Sequence, residues 1–233
     1  TARDVVGAAG TQTATVAFGG YNGSSVQTAT EEFGGSSWTG GGSLNTARSA
    51  LARAGTQTAG LGFGGYKPGA PINSNATEEY DGSSWTSSNN LNTGRYYTAG
   101  FGTQTAAACV GGVLSPGNTN KTEEYDGTSW TEVNNYFHSL FGMASAGTQT
   151  SGLLVGGSYP AGTDKKTETA SYDGTNWSTN PAMATARYLL ADAGASSTSN
   201  VAFGGDAAPG VTAATEEFTA ETETANITNF TTS

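Results

Sequence analysis

The chain has 233 residues and a formal net charge of −10, and its nine Lys and Arg residues are scattered singly. This excludes the clustered basic surface that nucleic-acid binding needs, so we expect no nucleic-acid partner. With 35% hydrophobic residues, 35 Gly and 12% charged residues, the composition is typical of thin, closely spaced sheets rather than of a helical bundle or a disordered chain. No apolar run approaches the ~18 residues of a membrane span. Cys109 is the only cysteine, which excludes an internal disulfide.

A double glycine recurs at nearly constant spacing through the chain. It lies at 19/20, 64/65, 111/112, 156/157 and 204/205, so successive copies are 45, 47, 45 and 48 residues apart. Repeats of this length are typical of β-propeller blades, which need a neighbour on both sides to bury their faces. We therefore predict an all-β, five-bladed β-propeller that forms one soluble domain over 1-233 and closes into a ring. The repeats are about 1-45, 46-92, 93-137, 138-184 and 185-233.

The first half of each repeat predicts two strands. The repeats open at Arg3, Arg48, Arg95, Leu140 and Arg187, and a turn glycine follows each of these residues seven positions later. The small or aliphatic segment between the two positions predicts strand one. The turn reads Gly-Thr-Gln-Thr in four repeats, and the apolar run that follows it predicts strand two, which ends at the double glycine. We interpret the two glycines as allowing close approach of a neighbouring blade or as supplying positive φ.

The second half of each repeat predicts strands three and four. Strand three carries Thr-Glu-Glu-Phe/Tyr, and its aromatic residue precedes a Trp by five positions in four repeats: Phe33/Trp38, Tyr80/Trp85, Tyr125/Trp130 and Tyr172/Trp177. Asp-Gly pairs in three of these intervals predict hairpin turns. Each blade is therefore predicted to be four-stranded and antiparallel, with the Trp starting strand four. Repeat five lacks the Trp, and Ile227 or Phe230 is its expected substitute.

Repeat four departs from the others at two positions together. It has Leu140 where the others have Arg, and Ala170-Ser171 where they have a Glu pair. This joint loss predicts that the opening Arg pairs with a strand-three Glu of its own repeat. Adjacent strand residues point to opposite faces. We therefore do not expect the two carboxylates of a Glu pair to converge into an acid/base or cation site.

The sequence offers little for catalysis. His138 is the only histidine, it lies in a connection between repeats, and we interpret it as a surface-loop residue rather than the proton relay of a hydrolytic triad. There is no His/Cys cluster and no calcium-loop spacing of Asp. We expect a non-enzymatic protein with no catalytic residue, no metal site and no cofactor.

The loops between strands two and three vary among the repeats. We expect them on the same face as the connections from strand four to the next strand one. Variation on a repeated scaffold concentrates where function differs, although simple drift of surface loops would give the same pattern. Tyr is suited to stacking on a sugar or packing on a protein. The candidate ligand-binding residues are Tyr21, Asn22, Tyr66, Lys67 and Tyr159.

The double glycine, the Tyr-Asp before a Trp and the Arg that opens the next repeat resemble kelch repeats in all five units. Three sequence motifs are also similar to the kelch-like repeats of marine bacteriophage structural proteins: Gly-Thr-Gln-Thr, Phe-Gly-Gly and Glu-Glu-Tyr-Asp-Gly-Ser-Ser-Trp. This resemblance implies a virion structural or adhesive protein, such as a tail fibre or surface decoration, located on the virion surface or extracellularly. The implied partners are other virion proteins or a host-surface glycan. The alternative is a secreted cellular sugar-binding propeller, similar to a lectin.

Overall fold

The computed structural model describes residues 2–159 and 163–219, and every helix or strand in these ranges is a β-strand. The strands form five antiparallel sheets, each made of consecutive strands of one repeat. The prediction of an all-β, five-bladed β-propeller is confirmed. No helix long and apolar enough to cross a membrane occurs in the described ranges.

The strand bounds follow the repeats. Blade 1 contains β1 (Gly7–Thr11), β2 (Ala14–Phe18), β3 (Thr30–Phe33) and β4 (Trp38–Gly41). Blade 2 contains β5 (Ala52–Thr56), β6 (Ala59–Phe63), β7 (Thr77–Tyr80) and β8 (Trp85–Ser88). Blade 3 contains β9 (Ala99–Thr103), β10 (Ala106–Val110), β11 (Thr122–Tyr125) and β12 (Trp130–Val133). Blade 4 contains β13 (Ala144–Thr148), β14 (Ser151–Val155), β15 (Thr169–Tyr172) and β16 (Trp177–Thr179).

Blade 5 contains β17 (Ala191–Ser196), β18 (Ser199–Phe203) and β19 (Thr215–Thr219). Its fourth strand would fall in 220–233, so this strand and the predicted substitution by Ile227 or Phe230 lie outside the described residues. In the other four blades a Trp starts strand four, as predicted. The first strand of every blade lines a central channel.

Each buried Trp reaches back to the preceding blade. The rings of Trp85 and Phe18 have centroids 4.6 Å apart, and Trp85 Nε1 donates to Thr30 Oγ1 at 2.9 Å. Trp130 repeats both contacts with blade 2, at 4.8 Å from Phe63 and 2.9 Å from Thr77. The Trp of one repeat therefore packs into the interface with the preceding repeat and stabilises it.

Two further side chains reach back across the same interfaces. Gln57 of the turn between β5 and β6 donates Nε2 to the carbonyl oxygens of Thr15 (3.2 Å) and Phe33 (2.8 Å). The Tyr80 hydroxyl donates to Glu32, the second residue of the Glu pair in blade 1. Blades 3 and 4 contact their predecessors in the same way, through Gln104 and Tyr125 and through Gln149 and Tyr172.

The double glycine brings the next blade against the backbone. Gly65 N donates to the Arg95 carbonyl oxygen at 2.8 Å, and a Cβ added to Gly64 would lie 2.6 Å from the same oxygen. The two residues have φ of 66° and 107°. Both interpretations of the glycines are correct, since this position requires close approach and a left-handed backbone together.

The predicted pairing of Arg with Glu is confirmed. In blade 2, Arg48 Nη1 donates to the carbonyl oxygens of Gly64 (2.6 Å) and Ala76 (2.8 Å), and Nη2 donates to Glu78 at 2.8 Å. Glu78 is the first residue of its Glu pair, whereas the second residue, Glu79, accepts from Tyr125 of the next blade. The two carboxylates therefore diverge, as predicted. Equivalent pairs occur at Arg3–Glu31, Arg95–Glu123 and Arg187–Glu216.

The junction between blade 5 and blade 1, here called the seam, differs from the other four junctions. The first strands of successive blades pack extensively from β1 through β17, but β17 and β1 lack such packing. Trp38 of blade 1 is 53% exposed, and Phe203 of blade 5 is 42% exposed. The prediction of a closed ring is therefore met at four junctions, and in the described part of the chain it is not met at the seam.

Candidate ligand-binding face

The loop face is the end of the propeller that carries the loops from strand two to strand three. The residue after each double glycine pairs with the residue after the repeat-opening position, as in the bridges Asp4–Tyr21 and Ser49–Tyr66. The same bridge recurs in the other three blades, as Tyr96–Val113, Phe141–Ser158 and Tyr188–Asp206. The variable loops and the connections between blades therefore share one face, as predicted.

Left-handed residues line the channel mouth on this face. They occupy one position in each repeat, and their φ angles are 44° at Val5, 50° at Ala50, 51° at Tyr97, 65° at Gly142 and 52° at Leu189. From blade 2 onward, each residue donates its N–H to the carbonyl of the one before, at 2.7–2.9 Å. A left-handed backbone at residues other than glycine costs on the order of 1–3 kcal/mol and concentrates at functional sites. The mouth is therefore a candidate site.

Five aromatic side chains lie in contact one after another on this face, and Tyr97 among them lines the mouth. We call them the aromatic arc: Tyr66, Tyr96, Tyr97, Phe141 and Tyr188. Successive ring centroids are 5.8, 5.5, 6.0 and 5.6 Å apart. The arc extends over blades 2 to 5, and its side chains are half-buried. Rings spaced in this way stabilise one another and still present partly exposed faces and edges.

The mouth encloses a cavity of about 400 Å³. Its walls are mainly apolar and include Val6, Leu189 and Tyr97, and Arg53 lies on its lining. Arg53 Nη2 lies 3.3 Å from Oδ1 of Asp192, whose side chain is 2% exposed. Burial raises the pKa of Asp192, and the Arg53 charge opposes that rise. The cavity thus combines an apolar rim with one charged pair in the channel.

The phenols of Tyr97 and Tyr188 are held neutral. Burial raises the pKa of Tyr97 and of Tyr188, and the hydrogen bond to Asp206 adds to the rise for Tyr188. Lys165 Nζ lies 2.8 Å from Asp206 Oδ1 and 5.7 Å from the centroid of the Tyr188 ring. Neutral phenols can donate or accept hydrogen bonds, so the arc can combine ring stacking with polar recognition.

Tyr21, Asn22 and Tyr66 are three of the five predicted site residues, and they lie in blades 1 and 2. Tyr66 belongs to the aromatic arc. Tyr21 is 38% exposed on the loop of blade 1 and is not a member of the arc. The Asn22 side-chain oxygen accepts from Ser24 N at 3.0 Å and Ser25 N at 2.9 Å, so it shapes its own turn.

The other two predicted residues do not add to the arc. Lys67 is half-buried beside Tyr66, and its backbone N donates to Ile72 O at 2.9 Å. Tyr159 lies in blade 4, where its ring centroid is 5.9 Å from that of His138 and 4.3 Å from Lys166 Nζ. The structure therefore brings only Tyr66, of the three predicted tyrosines, into the shared aromatic surface.

His138 lies beside a carboxylate on the same face. Its Nδ1 is 2.8 Å from Glu168 Oε2, and both side chains are partly exposed. No group of three or more metal-ligating side chains occurs within 2–159 and 163–219. The structure places His138 in a loop with a partly exposed side chain, as the sequence indicated, and there it contacts Glu168.

Sequence reasoning missed most of the arc. Tyr96, Phe141 and Tyr188 directly follow the repeat-opening residue in repeats three, four and five, and Tyr97 is one position further along. The signal was an aromatic residue at one repeat position in three repeats. That position belongs to the connection between blades and lies outside the variable loops.

The fold and this face define a β-propeller with a ligand-sized cavity at one mouth of its channel. No protein-family model and no curated protein sequence matches this chain. Among solved structures, that of YjhT is similar with a TM-score of 0.79 at 13% sequence identity, and the match covers 95% of this chain and 82% of that chain. At this level of identity, the similarity shows the propeller fold alone.

Proposed function

We propose that this protein is a non-enzymatic interaction propeller that binds a glycan through the aromatic arc and the cavity at the channel mouth. Its place would be a virion, as a tail fibre or surface decoration with kelch-like repeats, and its ligand a host-surface glycan. A neighbouring virion protein is the other partner that such a face could bind.

The aromatic arc carries this proposal. Sugar rings present apolar C–H faces that pack on aromatic rings, and their hydroxyls need hydrogen-bonding partners. Tyr97 and Arg53 on the cavity lining would supply such partners, together with the phenol of Tyr188 on the same face and Asp192 in the channel. A site with two charges of opposite sign and several neutral rings favours a neutral polar ligand over a strongly charged one.

Weak binding at each site would suffice in a particle. A millimolar site corresponds to about 4 kcal/mol of binding free energy. Many copies on one particle would raise the overall affinity through avidity without any new contact. The same site in a secreted cellular lectin would need no particle, and mass spectrometry of purified virions distinguishes these two origins.

The test compares the whole protein with two variants on a glycan array and in particle adsorption to host cells. The triple variant Tyr66→Ala, Tyr97→Ala and Tyr188→Ala should lose glycan binding and adsorption. The matched control is Val211→Ala, which removes a 91% exposed apolar side chain from a loop of the same face. It should bind as the parent protein does.

Thermal unfolding must accompany the binding measurement, because the three tyrosines also pack on one another. A folded triple variant that binds and adsorbs normally would contradict the proposal. A separate set, Tyr21→Ala, Tyr66→Ala and Tyr159→Ala, tests the variable loops. If this loop variant loses more glycan binding than the arc variant does, the glycan binds to the variable loops rather than to the channel mouth.

A further inference from the structure

The two faces of the seam carry the same side chains that bind adjacent blades elsewhere. On blade 1 these are Val6, Gln12 and Trp38, and all three are exposed. Their equivalents in blade 2, namely Leu51, Gln57 and Trp85, all contact blade 1. Blade 1 is therefore equipped to reach back to a preceding blade, but within the described residues Gln12 and Trp38 make no hydrogen bond or ring contact with blade 5.

Blade 5 presents the complementary half of the interface. Phe203, Thr215 and Glu217 are exposed. In blade 1 the equivalent Phe18 packs on Trp85, Thr30 accepts from the Trp85 indole, and Glu32 accepts from the Tyr80 hydroxyl. Blade 5 therefore keeps a receiving surface for a Trp and a Tyr from a following blade.

The double glycine of blade 5 gives an independent indication. An added Cβ at Gly19, Gly64, Gly111 or Gly156 would lie 2.5–2.6 Å from a carbonyl oxygen of the next blade. At Gly204 the same Cβ would meet only Thr212 O of its own blade, at 3.7 Å. The glycine is retained, yet in the described part of the chain no neighbouring backbone approaches it.

We propose that the seam is the docking site for a sixth blade built from this same repeat. The occupant would place a turn Gln, a strand-three Tyr and a strand-four Trp on blade 5, and it would receive Trp38 on a Phe and a Thr of its own. These are the contacts that join blades 1 to 4, so the docking surface continues an interface that the molecule already uses.

Direct closure of blade 5 on blade 1 fits this chemistry less well. Glu217 occupies the position at which Glu32, Glu79 and Glu124 accept a Tyr hydroxyl from the next blade. Blade 1 carries Phe33 at the matching position, and a phenyl ring has no hydroxyl to donate. A sixth blade with the usual Tyr would satisfy Glu217. A second copy of the chain that docked through its own blade 1 would again present Phe33 to Glu217.

The test extends the full chain at its end with a copy of residues 46–92. Hydroxyl-radical footprinting with mass spectrometry then reports the exposure of individual Trp and Phe side chains. In the unextended chain, Trp38 and Phe203 should be oxidised faster than Trp130 and Trp177. In the extended chain, their oxidation should fall to the level of those two buried residues, and the midpoint of thermal unfolding should rise.

The matched control is the same extension with Gln57→Ala, Tyr80→Phe and Trp85→Ala in the appended copy, which should leave Phe203 exposed. A second extension, with residues 93–137, guards against the failure of one repeat to fold. Exposure of Trp38 unchanged by both extensions would overturn the proposal. Protection of Trp38 in the unextended monomer would also overturn it, because it would mean that blade 5 closes directly on blade 1. Protection of Trp38 only in a concentration-dependent dimer would overturn it as well, because the occupant would then be a second copy of the chain.

Discussion

Blades 3 and 4 share one backbone plan and fill the same buried position in opposite ways. In blade 3, Arg95 and Glu123 are both fully buried and form an ion pair. In blade 4, Leu140 and Ala170 occupy the two equivalent positions and belong to one apolar cluster with Leu154. Both blades keep the same strand order and the same pairing of strands two and three.

This comparison shows that the blade does not need the ion pair. It does need the two residues to be of one kind, either oppositely charged or both apolar. Burying two charges costs several kcal/mol per ion, and their attraction and hydrogen bonds must offset that cost. A well-packed apolar pair has no charge to desolvate and needs no attraction to offset that cost. A charge left alone in the same place has neither its attraction nor its solvation, which explains why the two residues change together in repeat four.

The largest expected effect is the loss of one partner in blade 3. Arg95→Leu leaves the Glu123 carboxylate buried without its counterion, and it removes the donor to Lys121 O at 2.8 Å. We expect the free energy of unfolding to fall by about 3–5 kcal/mol. Urea denaturation at neutral pH measures this loss.

The double variant Arg95→Leu with Glu123→Ala imitates blade 4 and serves as the control. It should recover most of the lost stability, because no uncompensated charge remains. If the effects of Arg95→Leu and Glu123→Ala simply add, the two side chains are not energetically coupled and the comparison between blades has no energetic basis.

A smaller effect is expected when the pair is installed in blade 4. Leu140→Arg with Ala170→Glu would recreate the arrangement of blade 3, with the carbonyls of Gly156 and Glu168 at the positions equivalent to the Arg95 acceptors. Replacing a buried ion pair by apolar residues often leaves the free energy of unfolding unchanged or raises it by about 1–4 kcal/mol. Installing the pair is the reverse change, so it should lower the free energy of unfolding by up to about 4 kcal/mol. Leu140→Arg alone should be less stable than the double variant, as measured by urea denaturation.

An installed pair that stabilises the protein would contradict the second half of the comparison. It would mean that blade 4 lost a favourable interaction rather than exchanging one stable solution for another. Crystallography of the double variant would show whether the new guanidinium reaches the new carboxylate.

The smallest effect concerns a contact that blades 3 and 4 both keep, the tyrosine that reaches back to a glutamate. Burial, reinforced by the hydrogen bond to Glu79, raises the pKa of Tyr125 to about 12, above the value of ~10 for an unfolded chain. A raised pKa gives stability that is fully present below pH ~10 and is lost as the pH rises towards 12. Tyr125→Phe should cost about 1–2 kcal/mol at neutral pH and should flatten the fall in stability above pH 10.

Urea denaturation at a series of pH values from 7 to 12 provides the measurement. Tyr172→Phe in blade 4 should act in the same direction, since burial and Glu124 raise the pKa of Tyr172 as well. If either variant keeps the alkaline slope of the parent protein, these phenols are not responsible for it.

Contacts within one repeat were open to prediction from the sequence. The pairing of Arg48 with Glu78 followed from the joint loss in repeat four, because both partners lie at fixed positions of a single unit. The divergence of Glu78 and Glu79 followed from the alternation of side chains along a strand. Tyr66 was identified as a candidate because its loop varies against a constant framework.

Contacts between repeats were decided by the tertiary structure. The sequence predicted neither that Trp85 reaches back to Phe18 nor that Tyr96, Tyr97 and Tyr188 join one aromatic arc, because these contacts depend on how neighbouring blades pack. Repeat one keeps the strand-four Trp and repeat five keeps the strand-two Phe of other repeats, yet Trp38 and Phe203 lie exposed. A repeat specifies its own hydrogen bonds and side-chain alternation locally, whereas burial of its two faces requires neighbours, and only the assembled propeller determines which faces have them.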